Sequence, residues 1–431
     1  LTIDSGDSGA TGAVEIASNI STAGNDLSIT AATITADSGV IINTQASGAD
    51  SGAISLTGRN ITLGSGSNLD AAASDTSHNA GDVTLNVDDE GHRVFDLPVD
   101  YVSKSVGISL EGASIEGGDV SLTATATDLS LPGEVPSWAA GFTSTLSGLF
   151  SQIPGAVISG ATGIDASVIL RGADAGITVD NSSIAAAGDV SIASTTDVQT
   201  TVTATALGAT NSPQIAVGYA QATSHVTALV SGTSTITALH NVTVTATGET
   251  DATTNAYANA NLFSSNSNAT GFAVALADTN LTDTAEVDSG ATLTATLGNV
   301  NVQANGTDKV STNAATDSAR DAKAGVSLGL GFDLATVQSL LNGHITAGGT
   351  VSGGSNQDTF NPQQSGTVDQ TTGMIYMPDH GLKTGQAVTY TAGDQSLGGT
   401  SGSSSAIGGL TSGNTYYVIV VDNDHIQLAD K

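Results

Sequence analysis

The chain has 431 residues, of which 41 are acidic and 9 basic, giving a formal net charge of −32; aromatic residues make up 3% and cysteine is absent. That balance argues against nucleic acid and anionic membranes as partners, since both call for a basic stripe. It also excludes disulfide and thiolate–metal frameworks. The apolar share of 39%, carried mainly by Ala, Val, Ile and Leu, predicts a narrow, repeated interior rather than disorder.

From its first residues the chain reads as a repeat. "GAVEIAS" at Gly12, "GNDLSITA" at Gly24, "SGVIINTQ" at Ser38 and "SGAISLTG" at Ser51 each set a turn pair before strict apolar/polar alternation. That is the period-two signature of a strand with one buried face, and the phrases follow one another too closely for a helix between strands. The opening "LTIDSG" is already repeat text, so the chain is read as a segment of something longer. No signal peptide or bilayer-length apolar run is visible.

The phrase recurs as "AGDVTLNV" (Ala80–Val87), "GGDVSLTATATD" (Gly117–Asp128), "AGDVSIASTTD" (Ala187–Asp197), "HNVTVTATGETD" (His240–Asp251) and "GNVNVQANGTD" (Gly298–Asp308). Val190, Val242 and Val300 mark the start of long repeats, and two or three short coils would fill the interval between each pair. The expected fold is an all-β, right-handed parallel β-helix spanning residues 1–348. Stacked turns present the same pocket to one another, so the same small residues recur. A β-sandwich array also fits short strands, but it needs a heavier core.

Three stretches depart from the repeat. Over residues 137–153, Trp138, Phe142, Leu146, Leu149, Phe150 and Ile153 fall on one helical face, which predicts a helical insertion. Trp138, Phe142 and Phe150 are its candidate partner-contact residues. "GFDLATVQSLLNGH" predicts a capping helix over 333–343, with Asp333 as N-cap and Gly343 as stop. Residues 349–431 hold both Met residues and renewed β alternation, and predict a small separate β-domain.

At this point the text resembles a known group. "HGLKTGQAVTY" (His380–Tyr390) and "GGLTSGNTYYVIVVDNDHIQLA" (Gly408–Ala429) resemble a β-module of giant bacterial surface proteins. The GDV-x-[IL]-x-[AS] phrase is similar to the β-helical shafts of filamentous-haemagglutinin-type adhesins. The resemblance implies an extracellular or cell-surface location in a bacterium. It also implies a structural or adhesive role toward a host or environmental surface, a glycan or further copies of the chain. It carries no catalytic residues.

Calcium is the natural counterion for so acidic a chain. Asp88, Asp89 and Glu90 in "NVDDEGHR", and Asp422 and Asp424 in "VVDNDHIQ", are the candidate calcium ligands, although the G-G-x-G-x-D nonapeptide is absent. The rival class is a carbohydrate-active β-helix enzyme, a polysaccharide lyase or hydrolase, which needs clustered carboxylates or cations. The nine basic residues do not cluster by repeat position. The expectation is therefore a non-enzymatic shaft or fibre subunit.

Overall fold

A computed structural model of the chain describes residues 1–5, 12–93, 99–130, 164–207, 214–259, 270–317, 324–349 and 351–353. Toward the C-terminus it describes residues 368–369, 372–376, 384–385, 387–390, 407, 409–411, 414–422, 425–430. The chain divides into two compact units, Leu1–Ser355 and Asn356–Lys431. Among the described residues there is no helix.

The first unit is a parallel β-helix of three sheets. Its first three turns use short strands: β1 (Thr2–Asp4), β2 (Ala13–Ile16), β3 (Ile20–Ser21); β4 (Leu27–Thr30), β5 (Thr33–Ala36), β6 (Ile41–Asn43); β7 (Ile54–Gly58), β8 (Asn60–Leu63), β9 (Asn68–Asp70). The next two widen: β10 (Val83–Arg93), β11 (Val99–Glu111), β12 (Ser114–Gly117); β13 (Val120–Ser130), β14 (Ile164–Asp180), β15 (Ser183–Ala186). The sixth and seventh are β16 (Val190–Leu207), β17 (Gln214–Ser231), β18 (Thr235–Ala238) and β19 (Val242–Asn259), β20 (Thr270–Val287), β21 (Thr292–Ala295). The eighth is β22 (Val300–Asp317), β23 (Ala324–Leu341) and β24 (His344–Ala347), after which β25 (Val351–Gly353) begins another rung.

Every third strand pairs, giving sheet A (β1-β4-β7-β10-β13-β16-β19-β22-β25), sheet B (β2-β5-β8-β11-β14-β17-β20-β23) and sheet C (β3-β6-β9-β12-β15-β18-β21-β24). In the early turns the register partners of sheet A lie close in sequence, at Leu27↔Ile54↔Val83. They then move far apart, at Val83↔Val120↔Val190↔Val242↔Val300. The long repeats are thus single turns with 18-residue strands in sheets A and B, not two or three short coils. Sheet C stays at four residues throughout the later turns.

The geometry follows directly. Where strands are short, the sheets close a three-sided prism filled by Ile29, Ile34, Ile42, Leu56 and Leu63, all fully buried. Where sheets A and B lengthen, they run on past the prism and pack face to face as a two-layered blade. An 18-residue strand extends about 60 Å, while eight turns rise only about 38 Å. Distal to the prism the blade has its own core of Ala204, Ala206, Ala216, Ala256, Ala258, Ala273 and Ala275. A Cβ on Gly218 of sheet B would sit 2.6 Å from Thr254 Cγ2 of sheet A, so the layers are close. Small side chains therefore dominate the space between them, with Val202, Thr254 and Gln214 as larger members.

The helix expected over 333–343 does not form. Strand β23 runs through that segment, paired residue for residue with β20 from Thr270↔Ala324 to Val287↔Leu341. Val337, Leu340 and Leu341 do fall at helical spacing, but Val326, Leu328, Leu330, Phe332 and Leu334 precede them at period two. An 18-residue neighbour supplies a ready hydrogen-bond ladder, and that tertiary pairing overrides local spacing. The insertion expected at 137–153 lies outside the described residues.

The second unit contains β26 (Val368–Asp369), β27 (Met374–Tyr376), β28 (Ala387–Thr389), β29 (Thr415–Asp422) and β30 (His425–Ala429). They form an antiparallel sheet in the order β26-β27-β30-β29-β28, with Ile375, Val418 and Ile426 as its core.

Candidate functional site

The recurring Gly-Asp-Val phrase builds the corner between sheets C and A. Asp82 Oδ1 accepts a hydrogen bond from the Asp119 N–H (2.9 Å), and Asp119 Oδ1 from the Asp189 N–H (2.8 Å). The chain of caps continues from Asp189 to the Asn241 N–H (2.8 Å) and from Asn241 to the Asn299 N–H (2.9 Å). A Cβ on Gly188 would overlap the Asp119 carboxylate, and one on Gly118 would lie 2.6 Å from Asp82 Oδ1. The Gly leaves the space that the acid of the turn below occupies. The phrase repeats because each turn caps the next.

A second ladder follows the corner between sheets B and C. Gly39, Gly66, Gly112, Asn181 and Gly232 all adopt positive φ there. Ser182 Oγ accepts from the Ala113 N–H (3.0 Å), and Ser234 Oγ from the Ser182 N–H (3.1 Å). Beside these lies a shallow groove of about 500 Å³ lined by Asn68, Ser114, Asn181, Ser183 and Thr235 among others. It offers neutral hydroxyls and amides, with no carboxylate pair.

Between the prism and the Ala core a polar band crosses the interior. Lys104 Nζ donates to the carbonyls of Thr127 (2.7 Å) and Asp89 (3.2 Å). One turn on, Arg171 Nη1 lies 3.6 Å from Asp128 Oδ1, with both side chains fully buried. Thr200 Oγ1 donates to the Gln221 carbonyl (3.0 Å), Thr254 Oγ1 to that of Leu276 (2.6 Å), and Thr250 Oγ1 to Asp308 Oδ1 (2.6 Å). Asp283 is fully buried and aimed at the backbone of Gly248 and Gly306. Burial pushes its carboxyl up to about 7, against the relief of the Gly248 N–H. Asp333 is also raised, by its hydrogen bond to Asp308. Burial likewise raises Asp165, which accepts from the Thr205 N–H (2.5 Å).

The blade's outer faces differ in kind. On sheet A the outward positions read Thr201, Thr203 and Thr205 on β16, with Thr253, Asn255 and Tyr257 on β19. On sheet B the corresponding rows read Ala166, Val168 and Leu170 on β14; Ile215, Val217 and Tyr219 on β17; and Phe272, Val274 and Leu276 on β20. Strand β23 adds Val326, Leu328, Leu330, Phe332 and Leu334, the last two 58% and 63% exposed. The residues alternating with these are small, such as Ala216, Gly218, Ala220, Ala273, Ala275 and Ala277. Sequence patterning assigned Val, Ile, Leu and Ala alike to the interior; along this stretch of sheet B the Ala residues are inside and the large apolar residues face out.

The predicted site residues do not converge. Asp88, Asp89 and Glu90 belong to strand β10 rather than to a loop, and along it Asp88 and Asp89 point to opposite faces. Asp88 Oδ2 accepts from Asn86 Nδ2 (3.4 Å). Asp89 lies 3.9 Å from both Lys104 Nζ and Arg59 Nε. Asp422 ends β29 and contacts His425 Nδ1 at 2.8 Å, whereas Asp424 is outside the described residues. Trp138, Phe142 and Phe150 are outside them too. Among the described residues no group of three or more His, Asp or Glu side chains is placed to hold a metal ion. No family model, no curated protein and no solved structure matches the chain.

Proposed function

We propose that the chain is a structural and adhesive segment of a very large extracellular bacterial protein, one that presents broad β faces for surface attachment or fibre formation. The observation that carries this reading is the turn design. The later turns are roughly twice as long as the early ones, yet each adds only about 4.8 Å of rise. The added residues produce width, in the form of two continuous outer faces, rather than reach. A spacer would gain more length from short turns, so the blade is best explained by what its faces touch. Asp128 and Asp308 of the polar band are tied to Arg171 and Thr250, which supports scaffolding over turnover. Calcium remains a proposed counterion for the acidic surface, with no dedicated site assigned.

Display of the whole chain on a non-adherent bacterium tests this reading. Attachment to surfaces, or cell-to-cell aggregation, should rise several-fold over an undisplayed control. Release of unsaturated uronates or new reducing ends from a polysaccharide panel would overturn it in favour of the lyase or hydrolase class.

A further inference from the structure

On the blade's sheet B the ordinary division between inside and outside is inverted. Alanine and glycine face the partner sheet, while Val217, Tyr219, Leu276, Leu330 and Phe332 face away from it. We infer that this face is an interface between two copies of the chain, stacked face to face about a two-fold axis. The inference stands apart from the adhesive reading, because it concerns which partner this one face takes.

Area, charge and symmetry each support a second copy. The apolar rows cover four strands at about 4.8 Å spacing and three outward positions along most of them, roughly 19 by 20 Å, with Leu170, Phe332 and Leu334 extending the patch on its edge strands beside Gln221, Asp278, Thr223 and Asn280. That is about 400 Å² in projection and more once the side-chain relief and the flanking polar rows count, at the small end of the interfaces that hold reversible pairs. A patch of this size is about the largest that a monomer exposes, and such patches are often functional. Among the described residues the patch holds one charge, Asp278, which accepts from Gln221 Nε2 (3.0 Å) and the Tyr219 hydroxyl (3.4 Å). The other described acids on this face of sheet B, Glu15, Glu111, Asp174, Asp180 and Glu286, sit toward the prism.

Antiparallel overlap of two distal blades therefore buries the neutral rows and holds the acidic prisms apart. Their separation would exceed the screening length of about 8 Å at physiological salt, so the net charge of −32 does not forbid the pair. A face matched to itself about a two-fold axis closes at two copies. The blade's other face is polar, so it adds no second sticky surface.

Because the chain has no cysteine, single-thiol variants give a clean test. In the full chain, Leu276→Cys treated with a short bismaleimide should yield covalent dimers, and Thr253→Cys on the polar face should not. Sedimentation equilibrium should show a reversible dimer whose dissociation constant rises at least 100-fold in Val217→Asp/Leu276→Asp, with an unchanged circular dichroism spectrum. If the double variant fails to fold, the cross-linking comparison decides alone. A monomer at high micromolar concentration with no face-specific cross-link overturns the proposal. If that monomer floats with neutral phosphatidylcholine vesicles, the face takes a foreign apolar surface instead. If it binds a hydrophobic dye only after deletion of residues 137–153, the chain's own segment covers it.

Discussion

The smallest unit that explains the repeat is a dipeptide. In Gly188-Asp189 the Gly makes room for Asp119 of the turn below, and Asp189 then caps Asn241 of the turn above. Gly188→Ala should therefore destabilise the unit by about 1–3 kcal/mol, the range for forced overpacking. Combining it with Asp119→Ala should cost clearly less than the sum, because both act on one contact; chemical denaturation of the four-member cycle measures this. Asp283 gives a pH signature of its own. Its folded pKa of about 7 lies above the ordinary 3.8, so the fold favours the protonated acid. Stability is full below about pH 4, declines as pH rises toward 7, and levels off above. Asp283→Asn should remove that decline and raise the melting temperature at pH 8 by about 5 °C, with little change at pH 4. The Gly-Asp phrase was legible as a turn signal in the sequence, but its partner one turn away was not, because that contact spans 37 to 70 residues. Asp283 gave no local signal at all: its burial depends on the glycines of the facing sheet.

At the level of strands, the sequence shows period two along nearly the whole chain and thereby discloses sheets and turns. It conceals strand length. Eighteen residues exceed the usual three to ten, so each long excursion reads as several short strands, and residues 333–343 read as a helix. Facing is hidden as well, because period two separates two sets of positions without saying which one is buried. On β20, Phe272, Val274 and Leu276 look like core as much as Ala273, Ala275 and Ala277 do; the close approach of sheets A and B keeps the Ala set inside and turns the large set out. Ala275→Leu should cost about 1–3 kcal/mol by forcing the layers apart. The Asp128–Arg171 pair marks the turn where the blade begins, and it acts as a unit. Arg171→Met alone should cost about 3–5 kcal/mol by stranding a buried carboxylate, whereas Asp128→Leu/Arg171→Met should fall near wild type. Denaturant midpoints of the three proteins decide this.

Taken whole, the Leu1–Ser355 unit is a narrow prism at one end and a wide blade at the other. Its first turn offers strands of three, four and two residues, while its eighth offers two of 18. Stacking copies first turn on last would leave most of each long edge unpaired. Raising the concentration of the whole chain should then give dimers but no ladder of higher multiples, as size-exclusion chromatography with light scattering would show. The extracellular, adhesive reading is a proposal that came from the sequence only through resemblance, since ligand choice resides in surface relief that composition does not encode. One further property follows from the constant sheet C and the variable A and B excursions. Intervals of 37, 70, 52 and 58 residues are accepted by the same corners, so those corners record only where an excursion leaves and re-enters, not its length. The outer ends of the blade are thus natural grafting points, and a foreign domain spliced between Leu207 and Gln214 should fold as cargo without altering the frame that carries it.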